Sequence, residues 1–314
     1  MKRKMLNVPK GGYDGMKGFT IVEFLVAGLL SVIVLIAVVS SYFTSRKLND
    51  AANERLAIQQ DLRNAATLIV RDARMAGSFG CFNMSEHIEQ DVVSDVTQKN
   101  SPFSLKRNST RNSANKLIPI AESSNIVYQG FAQVRPALIF QYGIDDVNAS
   151  AETTVVSSCG AISKPGKQIP TLEDAKKELK IQNSGKEQNG NIARQRHVVN
   201  AYAVGRIAGE EGLFRFQLDD KGKWGNPQLL AKKIKRMKVL YIYVSGCPED
   251  EDAGKEEQFK YTDKFDSSVT PAGVEVLLDS GLNAKIAAPS DNSIYAYRIN
   301  ATIRGGNVCA NRTL

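Results

Sequence analysis

From Phe19 to Phe43 the chain runs through 25 residues in which Glu23 is the only charged side chain. As a helix this stretch spans roughly 37 Å at about 1.5 Å per residue, enough for a hydrocarbon core of about 30 Å. The helical pattern does not end where the apolar run ends. No proline or glycine interrupts Leu29 to Ala76, and from Ile58 apolar residues recur at Leu62, Ala65, Ile69, Ala73 and Ala76. Asp61, Arg63, Arg71 and Asp72 fall off that stripe, and Gly77 supplies a C-terminal stop. The pattern predicts one helix from Phe19 to about Ala76, roughly 87 Å long. Its first half is apolar all round and its second half amphipathic, with one face turned to a globular body.

After Gly77 the period shortens. KLIPIAES, NIVYQGF, ALIFQYG and TTVVSSCG read as short strands separated by Asn, Ser, Gly and Asp. A polar, lysine-rich insert from about Ser163 to Arg196 reads as a loop containing a helix. Strand patterns return in HVVNAYAVGRIAGEEGLFRFQLDD, KVLYIYVSG, VEVLLDSG and SIYAYRINATIRGG, and DDKGKWGNPQ fits a hairpin tip. The fold class expected is α+β, with antiparallel strands packed on the second half of the long helix.

Charge adds a direction. Lys2, Arg3, Lys4, Lys10 and Lys17 against Asp14 place +4 of the formal +8 ahead of the apolar run. Basic residues before the run and a large body after it predict a cytoplasmic N-terminus and an exported body. The remaining +4 over almost 300 residues is a weak argument for nucleic-acid binding. Cys81, Cys159, Cys247 and Cys309 are widely spaced and lie outside the apolar run. Lacking a CxxC or Cys/His cluster, they point away from zinc and toward two disulfides in an oxidising compartment. Of three connectivities, the expected one is Cys81 with Cys159 and Cys247 with Cys309. The first bond ties the helix exit to a strand end, and the second staples the last strands together.

No catalytic, metal-binding or cofactor-binding constellation stands out, and no cofactor is expected. His87 and His197 lie in polar strand or loop contexts, and no GxSxG, HExxH or Walker sequence occurs. Glu249, Asp250, Glu251 and Asp252 lack the spaced ligands of a calcium loop and read as a solvated acidic run. Lys232, Lys233, Lys235 and Arg236 form the strongest basic cluster after the head, with weak DNA contact as one reading and a solvated face as the other.

A carboxylate inside a membrane-length run needs a reason, because acids cost roughly 2.5–3.5 kcal/mol at a bilayer centre and somewhat less near its edge. Lys17-Gly18-Phe19-Thr20-Ile21-Val22-Glu23 resembles the class III signal of type IV pilins and pseudopilins. The resemblance implies cleavage after Gly18 by prepilin peptidase, methylation of the new amine on Phe19, and an assembly role for Glu23. Glu23 would pair with such an amine in its own chain or in a neighbour. RDARMAGSFGCFN, VVSSCG and GEEGLFRFQLDD are similar to the PilW type of minor pilin. That resemblance implies a pilin-like lollipop divided as 1–18 (leader), 19–43 (membrane and filament-core helix), 44–77 (amphipathic helix) and 78–314 (exported body).

The function it implies is a non-enzymatic minor pilin that primes type IV pilus assembly in a tip complex and counters retraction. Its implied partners are other minor pilins, the major pilin, prepilin peptidase and the inner-membrane assembly platform. Its implied location is the inner membrane and then the pilus. The rival readings are a minor pseudopilin of a type II secretion system, a minor pilin acting in DNA uptake, and a plain anchored protein. One departure from major pilins is that no proline lies between Pro9 and Pro102, which leaves Gly28 as the soft point of the apolar half.

Overall fold

The computed structural model describes residues 18–98, 101–106, 115–181, 191–245, 258–279, 297–304 and 306. The chain divides into two compact units, one ending at Ala57 and the other beginning at Ile58. Helix α1, Ile21–Met75, is 55 residues long and matches the expected span to within two residues at each end. In the first unit every residue from Gly18 to Ala57 is exposed. It is the one described helix long and apolar enough to cross a membrane. Ser31 Oγ and Thr44 Oγ1 donate to the carbonyls of Ala27 and Ser40, at 2.8 and 2.9 Å. Their hydroxyls are thereby satisfied inside the helix, as an apolar solvent requires.

The second unit starts where α1 acquires a buried stripe: Leu62, Ala65, Ile69 and Ala73, with Asp72 beside them. The helix stops at Gly77, whose φ of +79° suits glycine and whose N–H donates to the Gln141 carbonyl at 2.8 Å. A short antiparallel pair follows, β1 (Ser78–Phe79) with β2 (Phe82–Asn83). Next come β3 (Val92–Asp95), β4 (Ile120–Ser123), β5 (Ala132–Gln133), β6 (Ala137–Ile144), β7 (Thr154–Ser157) and β8 (Ile162–Lys164). Helix α2 (Leu172–Glu178) precedes β9 (Ala193–Ile207), β10 (Glu210–Leu218) and β11 (Trp224–Lys232). The last strands are β12 (Arg236–Ser245), β13 (Gln258–Thr262), β14 (Gly273–Asp279) and β15 (Tyr297–Thr302).

Among the described residues, β3 to β11 form one sheet and β12 to β15 a second, in the order β13-β12-β14-β15. The fifteen-residue β9 organises the large sheet, pairing with β10 and β7 on one side and with β6 and β5 on the other. The α+β class therefore holds, with two corrections. There are two main sheets rather than one, and β3 pairs with β8 in parallel, so the body is not wholly antiparallel. NIVYQGF forms no strand. Its Ile126 is buried against the face of the large sheet turned away from the helix, with Val199, Ala201 and Phe216. The lysine-rich insert does hold a helix, α2, but β9 begins at Ala193, before the insert's expected end.

Period-two alternation along β9 sorts the two faces of the large sheet. Val199, Ala201 and Ala203 enter the cluster behind the sheet, while Tyr202 and Val204 meet the helix stripe. On the helix side, Leu62, Ala65, Ile69, Ala73 and Ala76 share one cluster with Leu138, Phe140 and Leu213 of the large sheet and Met237, Tyr241 and Val276 of the small one. Small residues dominate the helix stripe because a backbone close to the sheet leaves no room for larger ones. The junction between the sheets is LysLysIleLys, 232–235, where Ile234 is fully buried in that same cluster.

Candidate functional site

At the start of α1 the Glu23 carboxylate turns back on its own first turn. Its Oε2 accepts from the Thr20 N–H and from Thr20 Oγ1, both at 3.1 Å, while the Glu23 N–H donates to Thr20 Oγ1 at 3.3 Å. This is a reciprocal capping box, which satisfies orphan helix donors and favours an acid at the positive end of the helix dipole. The signal was present in the chain as Thr20-x-x-Glu23, and reasoning from charge alone passed over it. Among the described residues Glu23 Oε1 accepts no hydrogen bond, so the carboxylate keeps a second oxygen for another donor. Gly18 and Phe19 lie just ahead in exposed, non-helical backbone, and Phe19 is 82% exposed.

The densest polar constellation surrounds Asp72, which sequence reading left off the buried stripe. The structure corrects this: Asp72 is fully buried. Its Oδ2 accepts from Tyr202 Oη at 2.6 Å and Asn200 Nδ2 at 2.9 Å, and Oδ1 accepts from Tyr142 Oη at 2.9 Å. Arg215 Nη2 lies 3.3 Å from Oδ2, and Arg71 Nη2 lies 3.1 Å from Oδ1. Sheet register explains the convergence. Asn200 and Tyr202 share the helix-facing side of β9, Tyr202 lies opposite Leu138 of β6 and Arg215 of β10, and Tyr142 shares the face of Leu138 and Phe140. Burial first, and then the Asp72 charge, raise both phenols, Tyr142 to about 12. The cage therefore locks helix to sheet through neutral hydroxyl donors and guanidinium charges.

Cys81 and Cys159 form a disulfide, the first of the two bonds expected. Next to it Ser157 Oγ donates to the Phe79 carbonyl at 2.7 Å, so the chain leaving the helix is pinned to the end of β7 by two connections. Cys247 and Cys309 lie outside the described residues, as does most of the acidic run, including Glu249 to Asp252.

Both histidines are packing groups. His87 stacks on Phe82 with centroids 4.1 Å apart and its Nδ1 lies 3.0 Å from Asp91 Oδ2. His197 is buried between Phe79 and Phe103, with Nε2 3.2 Å from Gln141 Oε1. The basic cluster is partly neutralised: Arg236 Nη2 meets Asp279 Oδ2 at 2.8 Å and Lys232 Nζ lies 3.8 Å from Glu210 Oε2.

Lys164 was not singled out by the sequence, yet it is 1% exposed. Its Nζ donates to the Phe103 carbonyl at 3.0 Å and sits 3.2 Å from the centroid of the Phe103 ring. His197 stacks on the same ring. Asp95, its register neighbour on β3, holds the 104–105 turn through Ser104 Oγ and the Leu105 N–H, both at 2.9 Å. Burial pushes the amine down to about 7, with Asp95 opposing. Between that value and the ordinary 10.5, the unfolded chain holds a proton that the folded chain lacks, so stability rises with pH. Wild type is expected to gain roughly 2 kcal/mol relative to Lys164→Met between pH 7 and pH 9, at about 1.4 kcal/mol per unit. Denaturant titrations of the two proteins across that window measure it; parallel pH profiles would refute it.

No family model, curated protein or solved structure matches this chain.

Proposed function

We propose that this chain is a minor pilin of the PilW type, which enters a type IV pilus initiation complex at the filament tip. The observation that carries the reading is an exposed apolar helix with a capped acid as its third residue, continuous with a helix stripe buried in an α+β body. In this reading prepilin peptidase cleaves after Gly18, and Phe19 becomes the methylated N-terminus. The Thr20 box then holds one Glu23 oxygen, while Oε1 is offered to the Phe19 amine of its own chain or of a neighbouring subunit. Pairing two charges in low dielectric favours the bundled state over the isolated helix. The body would face the periplasm, where the Cys81–Cys159 bond can form.

A shallow groove beside the buried stripe of the helix, reaching from core-packed Ala66 and Val70 to the exposed arginines, also supports assembly. It has a volume of about 570 Å³ and is lined by Arg63, Ala66, Thr67, Val70, Arg71, Arg74 and Met75. The helix thus offers a second surface to the other minor pilins and the major pilin, as a subunit packed between neighbours requires. DNA contact draws less support, because acids already engage Lys232 and Arg236.

Mass spectrometry of the mature N-terminus tests the processing. Methylated Phe19 is expected, and a chain that still carries residues ahead of Phe19 in piliated cells would sink the reading. Glu23→Ala should insert in the membrane as well as wild type but be lost from the minor-pilin complex. Deletion, with surface pili, protein secretion and DNA uptake scored separately, distinguishes the pilus from a secretion role. Lost secretion with intact pili would transfer the chain to the pseudopilins.

A further inference from the structure

Five Asn-x-Ser/Thr triplets occur in the chain, at Asn83, Asn108, Asn148, Asn300 and Asn311. This triplet is the acceptor pattern for N-linked glycans on exported proteins. Bacterial oligosaccharyltransferases also ask for an acidic residue two positions before the asparagine. Asp146-Val147-Asn148-Ala149-Ser150 meets that demand, whereas Cys81, Lys106, Arg298 and Cys309 occupy the place in the other four.

Tertiary structure selects the same asparagine independently. Asn108 and Asn311 lie outside the described residues. Asn83 is buried and its carboxamide donates to Glu86 at 2.7 Å. Asn300 sits mid-strand in β15, paired with Glu275 of β14, where the backbone cannot turn into an enzyme cleft. Asn148 instead stands at a turn between β6 and β7, exposed beside Val147, which is 79% exposed. Its backbone N–H donates to Asp146 Oδ1 at 2.9 Å, and among the described residues its carboxamide makes no hydrogen bond. The turn is anchored from below by buried Ala149 and by Arg194 Nη2 on the Val147 carbonyl at 3.1 Å. Asp146 is lightly held, its Oδ2 3.7 Å from Arg196 Nη1, and a partly exposed bridge of that length opens at little cost. Ser150 Oγ, in contrast, lies 2.9 Å from Thr153 Oγ1 and accepts from the Thr153 N–H at 3.3 Å, so the serine must leave that turn to be read.

We propose that Asn148 is an acceptor for an N-linked glycan, with a lipid diphosphate-linked oligosaccharide as donor. Asn148 Nδ2 forms the bond to the sugar C1 while the bond from C1 to the diphosphate oxygen breaks. The amide loses one proton and the lipid diphosphate departs, with no change of oxidation state. The site rests on the exported placement of the body proposed above.

The test co-expresses the full chain with an oligosaccharyltransferase that reads the acidic sequence and its lipid-linked oligosaccharide, followed by non-reducing peptide mapping. The expected result is a glycan mass on the Asn148 peptide, absent from the Asn83 and Asn300 peptides. It should be lost in Asn148→Gln, Asp146→Ala and Ser150→Ala, and retained in Asp146→Glu. The Cys81–Cys159 bond in the same digest reports export. An unmodified Asn148 with that bond formed overturns the site and leaves export standing; an unmodified Asn148 with reduced cysteines overturns both.

Discussion

Asp72→Ala is expected to lower the unfolding free energy of the chain in detergent by roughly 3–5 kcal/mol, the range for removing one partner of a buried ionic cluster. Asp72 is where Tyr142, Asn200, Tyr202, Arg71 and Arg215 converge. Alanine would remove the acceptor of the buried Tyr202 and Tyr142 hydroxyls and the counter-charge of Arg215, while Asn200 keeps Tyr142 and half-exposed Arg71 turns to water. Arg215 suffers most, because its side chain is only 12% exposed and has little water to turn to. Tyr202→Phe should cost less, about 1–3 kcal/mol, since it removes a single 2.6 Å donor and leaves the carboxylate otherwise held. Asn64→Ala, on the exposed side of the same helix, should stay within about 0.5 kcal/mol of wild type. Denaturation midpoints of the three variants check the ranking. If Asp72→Ala unfolds together with Asn64→Ala, the cage is not what fastens the helix to the sheet.

Loss of the Cys81–Cys159 bond should be of similar size. It closes a separation of 78 residues, for which the chain-entropy model gives about 4–5 kcal/mol through the unfolded state. Cys81→Ser with Cys159→Ser is therefore expected to reduce the abundance of the chain sharply while leaving the share of it recovered with membranes unchanged. Quantitative immunoblots of membrane fractions, with and without pulse-chase, separate the two effects. Wild-type steady-state levels in the double variant would overturn this. The same non-reducing map should link Cys247 to Cys309. Ser245 ends β12, and the chain runs from β15 through Ile303, whose N–H bonds the Ala272 carbonyl beside the start of β14. In register, Ile242 faces Gly273 and Gly273 faces Thr302, so both exits lie at one end of the small sheet.

Much of this molecule could be read from local pattern. The apolar run and the stripe from Ile58 to Ala76 set α1 to within two residues, because helix formation and burial both act at a period near 3.6. Gly77 marked its end through its own backbone freedom, with φ at +79°. The β10–β11 hairpin was legible in DDKGKWGNPQ. Those are short-range properties, written within a few residues of where they act. The Thr20–Glu23 box was equally local and could have been found by its spacing.

What the tertiary structure alone decided are the contacts made over long separations. Asp72 looks like a surface residue beside Arg71, and its burial depends on donors 70 to 143 residues later that strand register places over one helix turn. Lys164 looks solvated among polar neighbours, yet the 101–106 segment folds over it and puts the Phe103 ring and carbonyl on its amine. Likewise the parallel β3–β8 pair and the division into two sheets arise from pairing between distant strands. A sequence states which side chains are apolar and how often they recur, and that determines the elements. Which polar groups leave water is set by the partners that the assembled sheet can offer them, because a buried charge survives only where those partners converge.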